Sequence, residues 1–329
     1  MIDTIKAYLN INPHQNPISL SDISSNIQNP RITEGQSQTG YMNGYLNNIK
    51  VTVLFHTSNE LVSRLTITGS IPKFLYSNNL TTCSPTDIQT FIDSLSSALD
   101  IDVNEAIVTW LDFGLNFLVS RPIPEYIAAI KGYPRLPKTV YQGESVTMAT
   151  MSRSKVITFY DKIKEIKSNP SKNKHCHFPE GMLDLNILRY EVRYRKHVNR
   201  KLKYPESVKL KDLNNIKLHN HLFQILRTTF DEIEISELKF PTSDLTVSSG
   251  FLKTYLALIG LHYSGYDDIC RVIASQDFDV KNLSVKRSTL RAQLKKLASH
   301  SNKLHESNIK SALEAQFDTL EFILNLFYQ

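Results

Sequence analysis

A chain of 329 residues, 41% hydrophobic and 21% charged, is long enough for a sizeable core and has neither a fibrous nor a disordered composition. No apolar run approaches the roughly 20 residues that span a bilayer, the N-terminus lacks a secretory pattern, and three scattered cysteines (Cys83, Cys176, Cys270) argue for a reducing cytosol. The net charge of +6 is uneven: residues 150–212 hold 16 Lys and Arg against 7 Asp and Glu, whereas residues 1–149 hold 9 against 12. A basic block of this kind attracts a phosphate backbone, and is as often only a solvated surface.

In chain order, Ile2–Ile11 reads as a short strand and the Asn/Ser/Gln-rich stretch Asn12–Gly40 as a long loop. Tyr45–Phe55 and Leu61–Thr68 read as strands of a hairpin turning across Thr57–Glu60. Ser84-Pro85 starts a helix, with Ser as N-cap and Asp87 near the positive end of the dipole. Ile88, Phe91, Ile92, Leu95 and Leu99 then form one stripe at three-and-four spacing. A long strand over Ile107–Val119 precedes a helix from Pro124 to Gly132. Further strands are expected at Thr139–Gln142, Val156–Tyr160 and Ile187–Arg195, with a basic loop over Lys164–Pro179. From about Leu213 the pattern is helical: Leu213–Phe230, Phe251–His262, Tyr266–Ser275, Val285–His300 and Asn308–Phe327. The expected architecture is α+β, an antiparallel sheet with helices on one face followed by an all-helical region. The division falls between residues 1–212, carrying the chemistry, and 213–329. No fixed-period repeat stands out, although strand-strand-helix-strand fits twice into the first 200 residues.

Period-two sorting divides each strand into a core face and an open face. In Ile107–Val119 the odd positions are apolar, and Asp112 lies opposite them. In Ile187–Arg195 the odd positions are Arg189, Glu191, Arg193 and Arg195. Val156–Tyr160 turns Thr158 and Tyr160 outward, and Leu61–Thr68 turns out Arg64. If these strands share one sheet, its open face holds a tyrosine, two carboxylates and a row of arginines, a set suited to phosphodiester transfer. Tyr160 is the candidate nucleophile. Lys162 would favour its phenolate or protonate a leaving 3′ oxygen. Asp112 and Glu191 supply hard oxygen donors for Mg²⁺ or Mn²⁺, and Arg64, Arg189, Arg193 and Arg195 would track DNA phosphates. Alternating Arg and Glu on a strand is, taken alone, more often a solvated face with cross-strand ion pairs.

With these residues set out, the chain resembles the filamentous-phage gene II/X replication initiators, and also transposon and staphylococcal plasmid Rep proteins. The resemblance rests on the opening Met-Ile-Asp, LTITGSIPKFLYSNNLTTCSPTD at 65–87, VTWLDFGLNF at 108–117, VITFYDKIKE at 156–165 and ILRYEVRYRK at 187–196. It covers about residues 1–200. It implies an HUH-nickase-like fold and a rolling-circle initiator that nicks and joins origin DNA, single-stranded or supercoiled, through a 5′-phosphotyrosyl intermediate. It also implies a divalent metal, Tyr160 as nucleophile, Lys162 as its basic neighbour, and Asp112 and Glu191 as the acidic positions. Host helicase and polymerase, a homodimer and the cytoplasm of a bacterial host go with that reading.

The chain departs from the His-hydrophobic-His metal strand of many such nickases. His175-Cys176-His177 follows the tyrosine in a polar loop, His219-Asn220-His221 sits on a helix where alternate residues diverge, and His56 is a lone auxiliary candidate. In the helical region, Arg287, Arg291 and Lys295 align at four-residue steps, and the turn lengths allow a helix-turn-helix; a plain helical cap or a protomer contact accounts for the stripe slightly better, because basic stripes on surface helices are common. The competing functions are a non-catalytic DNA-binding replication regulator and a mobilisation relaxase.

Overall fold

The computed structural model describes residues 1–34, 38–170, 176–178, 181–235 and 308–327. Its first half runs β1 (Ile2–Asn10), α1 (Leu20–Ser24), β2 (Gln28–Glu34), β3 (Thr39–Leu46), β4 (Ile49–His56), β5 (Val62–Ser70), α2 (Ile71–Tyr76) and α3 (Pro85–Leu99). The second half begins with β6 (Ile107–Leu118), α4 (Ile123–Ala129), β7 (Ile130–Gly132), β8 (Lys138–Tyr141) and β9 (Ser145–Ala149). It continues with β10 (Lys155–Asp161), α5 (Lys162–Ser168), β11 (Ile187–Arg195), α6 (Val198–Lys201) and α7 (Ile216–Asp231). The two-residue strand β12 (Glu234–Ile235) pairs with β7, and α8 spans Asn308–Phe327.

Ten strands form one sheet in the order β2-β3-β4-β5-β1-β6-β11-β10-β9-β8, and every pairing in it is antiparallel. Read inward from either edge, the order is the same. Four strands form a meander, and the last of them pairs with the first strand of its own half. β1 and β6 meet at the centre, so the halves are related by an approximate twofold axis normal to the sheet. A twofold in that direction keeps both open faces on one side. The double strand-and-helix pattern of the sequence is this duplication.

Alternation places the core on the opposite side. Ile5, Ala7, Val51, Val53, Leu65, Ile67, Leu111, Phe113, Ile157, Phe159, Tyr190 and Val192 are buried there. The apolar stripe of α3 is buried in the same core, with Phe91 edge-on to Phe74 of α2, and its N-terminus carries the Ser84–Asp87 capping box that satisfies two free amides. α7 and α8 cover the second half: Phe230 and Phe317 lie 5.9 and 6.3 Å from the Tyr190 ring, and Phe159 stacks on Tyr190 at 4.6 Å. α7 and α8, both beyond residue 212, therefore complete the sheet's core. Among the described residues no helix is long and apolar enough to cross a membrane.

Several expected boundaries move. The expected loop Asn12–Gly40 contains α1, with its own Ser19–Asp22 capping box, and the edge strand β2. β2 has no hydrophobic alternation because it is held by backbone pairing to β3, with Arg31, Ile32 and Thr33 all exposed. Tyr45–Phe55 is two strands, β3 and β4, folded at Asn47-Asn48; Asn47 has φ of 52°, a left-handed conformation Asn tolerates. β9 replaces an expected connection, burying Val146 and Met148. The start of Lys164–Pro179 is helical, because Ile163 and Ile166 of α5 pack against Leu80 and Ile187. α4 stops at Ala129, since Ile130–Gly132 is drawn into pairing with β12. The helix expected from Leu213 begins as a 3-10 turn, and α7 proper starts after the Asn215 cap. The helices expected at Phe251–His262, Tyr266–Ser275 and Val285–His300, with Arg287, Arg291 and Lys295, lie outside the described residues.

Candidate active site

β6, β11 and β10 are consecutive in the sheet, and their register aligns the residues singled out from the sequence. Tyr160 is opposite Arg189, which is opposite Asn116; Thr158 is opposite Glu191, opposite Gly114; Val156 is opposite Arg193, opposite Asp112. All lie on the open face. Gly114 is the tight point of this arrangement: a Cβ there would sit 2.2 Å from the Tyr190 carbonyl oxygen and 2.9 Å from the Glu191 Cα. A side chain at 114 would thus force β11 away from β6 beneath Glu191.

Glu191 is the hub. Its Oε1 accepts from Arg189 Nε and Nη2 at 3.4 Å, and its Oε2 accepts from Arg193 Nε at 2.8 Å and from Arg193 Nη2. Arg189 also donates to Asp3 Oδ2 and to Asn116 Oδ1, both at 3.2 Å. Arg193 reaches Asp112 Oδ2 at 3.6 Å, while Trp110 Nε1 donates to Asp112 Oδ1. Arg195 packs its guanidinium 4.1 Å from the Trp110 ring centroid. Asp3, Asp112, Arg189 and Glu191 are all buried, and burying charge costs several kcal/mol per ion unless partners surround it. The network supplies those partners.

Arg189 is expected from the sequence on DNA phosphates; at 5% exposure its guanidinium is instead engaged by Asp3, Glu191 and Asn116, so it braces the site from within. Arg193 is more open, with its side chain 28% exposed, and it lines a hollow of about 330 Å³ with Thr158, Tyr160, Lys164 and Glu165. Thr158 Oγ1 is buried and has no hydrogen-bond partner among the described residues. Lys162 opens α5 rather than continuing the strand. Its Nζ is buried, pairs with Glu165 Oε2 at 2.9 Å and lies 5.6 Å from the Tyr160 ring centroid. Arg64, two strands away from β6 on β5, shares the open face, donates to Asn10 and covers the Tyr8 ring.

Electrostatics follow from burial. The Tyr160 phenol is pushed above its ordinary value by desolvation and by the charge of Glu191, with Arg189 opposing. Burial, reinforced by Glu191 and resisted by Arg193, raises Asp112 to about 7. The Lys162 ammonium is lowered by desolvation, against the pull of Glu165. Asp3 is held low by Arg189 although its own burial acts to raise it.

The donor set suits a hard divalent cation in part. Asp112 and Glu191 turn oxygens toward one guanidinium, that of Arg193, on the side of the hollow lined by the unpartnered Thr158 hydroxyl. No third His, Cys, Asp or Glu joins them to make a metal cluster among the described residues. The histidines do not converge there. His219 is a core residue bonded through Nε2 to the Leu213 carbonyl, His221 bonds the Leu202 carbonyl, and His175 lies outside the described residues. His56, the auxiliary candidate, is on β4, three strands from β6 in the other half of the sheet.

Trp110, Asn116 and Thr158 belong to the site, on the open face where alternation puts them, although nothing in their residue types marks a role; Asp3 belongs to it too and carries no such signal. Period two puts Asp3 with Ile5 and Ala7 on the core side; a register irregularity between Ile2 and Ile5 lets it reach Arg189 and Ser70 instead.

Comparison with known proteins adds one positive finding. The family of phage replication-associated proteins defined by the N-terminal region of the gene II protein matches residues 1–215. No curated protein matches the chain. The matched segment contains both halves of the sheet and every residue of the network just described.

Proposed function

From the premise that the chain belongs to the family of replication-associated proteins typified by the gene II N-terminal region, we propose that it is a rolling-circle initiator that nicks and rejoins origin DNA through Tyr160. The observation that carries the reading is the register itself. Three adjacent strands set Tyr160, Thr158, Glu191, Arg193 and Asp112 on one open face, and Tyr160, Thr158 and Arg193 line a hollow of about 330 Å³.

In this reading the Tyr160 oxygen attacks the scissile phosphorus. A tyrosyl O–P bond forms, the P–O3′ bond breaks, and the proton from the phenol ends on the leaving 3′ hydroxyl. The Lys162 ammonium stabilises the phenolate against the burial that disfavours it, and its lowered affinity for a proton suits it to protonate the 3′ oxygen. Arg193, the more open arginine, holds a non-bridging phosphate oxygen, while buried Arg189 keeps Glu191 in place. Asp112 and Glu191 would hold Mg²⁺ or Mn²⁺, which when bound polarises a phosphate oxygen. The aryl phosphodiester conserves the bond energy, so a free 3′ hydroxyl reverses the step.

The second half of the sheet is, on this proposal, an HUH-nickase-like scaffold whose His pair is missing. Host helicase and polymerase would act at the nicked origin. Residues 213–329 would divide their work, α7 and α8 closing the core and the intervening segment contacting DNA or a second copy.

The test is incubation with Mn²⁺ and single-stranded or supercoiled DNA carrying candidate origins. An SDS-stable protein–DNA adduct that disappears in Tyr160→Phe is expected. Binding without any adduct, for every DNA tried, makes the protein a non-catalytic regulator.

A further inference from the structure

The half of the sheet away from Tyr160 has the same strand order, and of the buried charge network it contributes Asp3 alone. Its open face is formed by Lys6 and Tyr8 on β1, Arg64, Thr66 and Thr68 on β5, Lys50 and Thr52 on β4, Tyr41, Asn43 and Tyr45 on β3, and Arg31 on β2. The one carboxylate on that side among the described side chains, Asp3, is buried against Arg189. Lys6, Arg31, Lys50 and Arg64 are exposed, and none makes an ion pair among the described residues. Tyr41 and Tyr45 are 46% and 48% exposed, the large exposed aromatic rings of this face among the described residues.

Register aligns these groups in a lane. Tyr45 is opposite Lys50, Lys50 opposite Thr68, Thr68 opposite Lys6, Lys6 opposite Trp110, and Trp110 opposite Arg195. Arg195 Nε is buried without a hydrogen-bond partner among the described residues. Arg195 is one alternate position from Arg193, so the lane runs on into the cluster of the second half. From β3 to β10 there are six strand steps, at least about 29 Å at about 4.8 Å per step. Near its far end a hollow of about 600 Å³ lies between Arg31, Asn43, Tyr45 and Lys50.

We propose that this face is a binding platform for single-stranded DNA, separate from the nicking cluster and holding the strand that leads to it. Exposed phenol rings offer stacking surfaces for unpaired bases, and unpaired cations between them neutralise the backbone. A duplex keeps its bases stacked inside, so the tyrosines would give it nothing. The proposal takes from the nickase reading only that the ligand is DNA.

The experiment is fluorescence anisotropy of the full chain with a labelled oligonucleotide, single-stranded and as a duplex, over a range of salt. Tyr41→Ala/Tyr45→Ala should weaken single-strand binding by about tenfold per lost stack and leave duplex binding within about twofold. Tyr41→Phe/Tyr45→Phe keeps the rings and should bind as the parent does. Lys50→Ala should lower the slope of log affinity against log salt by about 0.7 on the single strand. Anisotropy reads binding whether or not an adduct forms, which separates this result from the adduct test: the platform stands if the alanine pair weakens binding even where no adduct forms. Unchanged single-strand affinity in the alanine pair, or an equal loss on duplex, overturns it.

Discussion

On β11 and β6 the open face carries Arg189, Glu191, Arg193 and Asp112, charged groups drawn down into the protein and bonded to one another. On β5 and β1 the corresponding side shows Arg64, Thr66, Thr68, Lys6 and Tyr8, which are partly or fully open to solvent. One strand order thus serves two kinds of surface. Holding charges at fixed positions requires that they be buried and mutually compensated, and such a network is fragile because each member depends on the others. A surface that only binds a flexible polymer needs no such fixing, and its residues answer to solvent.

The difference predicts a graded set of responses. The largest in stability falls on the hub. Glu191→Gln leaves the buried Arg189 and half-buried Arg193 under-compensated, and denaturant unfolding should show a loss of about 3–5 kcal/mol. Thr66→Val, at a comparable strand position in the first half, should change stability by less than about 1 kcal/mol; an equal loss at both sites would erase the contrast.

The backing helices differ in the same sense. The buried stripe of α3 is wholly apolar, whereas α7 buries His219, whose pKa is lowered to about 4 by burial, with its bond to the Leu213 carbonyl opposing. The unfolded chain takes up that proton near pH 6.5, so stability is full above this value and is lost as pH falls toward 4. The size is on the order of 3 kcal/mol. His219→Gln should flatten the pH dependence of the unfolding midpoint over that window, and an unaltered slope would remove His219 from the account. The smallest effect is expected at Arg64. Its contact with Tyr8, 4.9 Å from the ring centroid, is exposed, so Arg64→Ala should cost about 0.5–1 kcal/mol in thermal or denaturant unfolding.

How far the sequence disclosed this organisation depended on burial. Alternation located β6, β10 and β11 and sorted Tyr160, Glu191 and Asp112 onto one face, because each strand has an apolar side to define its phase. The Ser84-Pro85 start and the α3 stripe were equally legible. β2 was not, since an edge strand held by backbone bonds leaves no hydrophobic rhythm. The Asn47-Asn48 turn was missed because the residues on either side of it are apolar enough to read through. The buried state of Arg189 was hidden for a different reason. Its partners Asp3 and Asn116 come from two other strands, and nothing local in ILRYEVRYR distinguishes an arginine that faces solvent from one that faces Asp3. The duplicated topology was visible only as a loose repetition, since the halves share a strand order without sharing motifs.

The central claim concerns one oxygen atom. Trapping the protein on cleaved DNA, digesting with nuclease and trypsin, and sequencing the modified peptide by mass spectrometry tests it directly. The expected product is the segment 156–162, VITFYDK, carrying a nucleotide phosphate on Tyr160. A modification on any other residue, or DNA that is cut while every peptide stays unmodified, would contradict it.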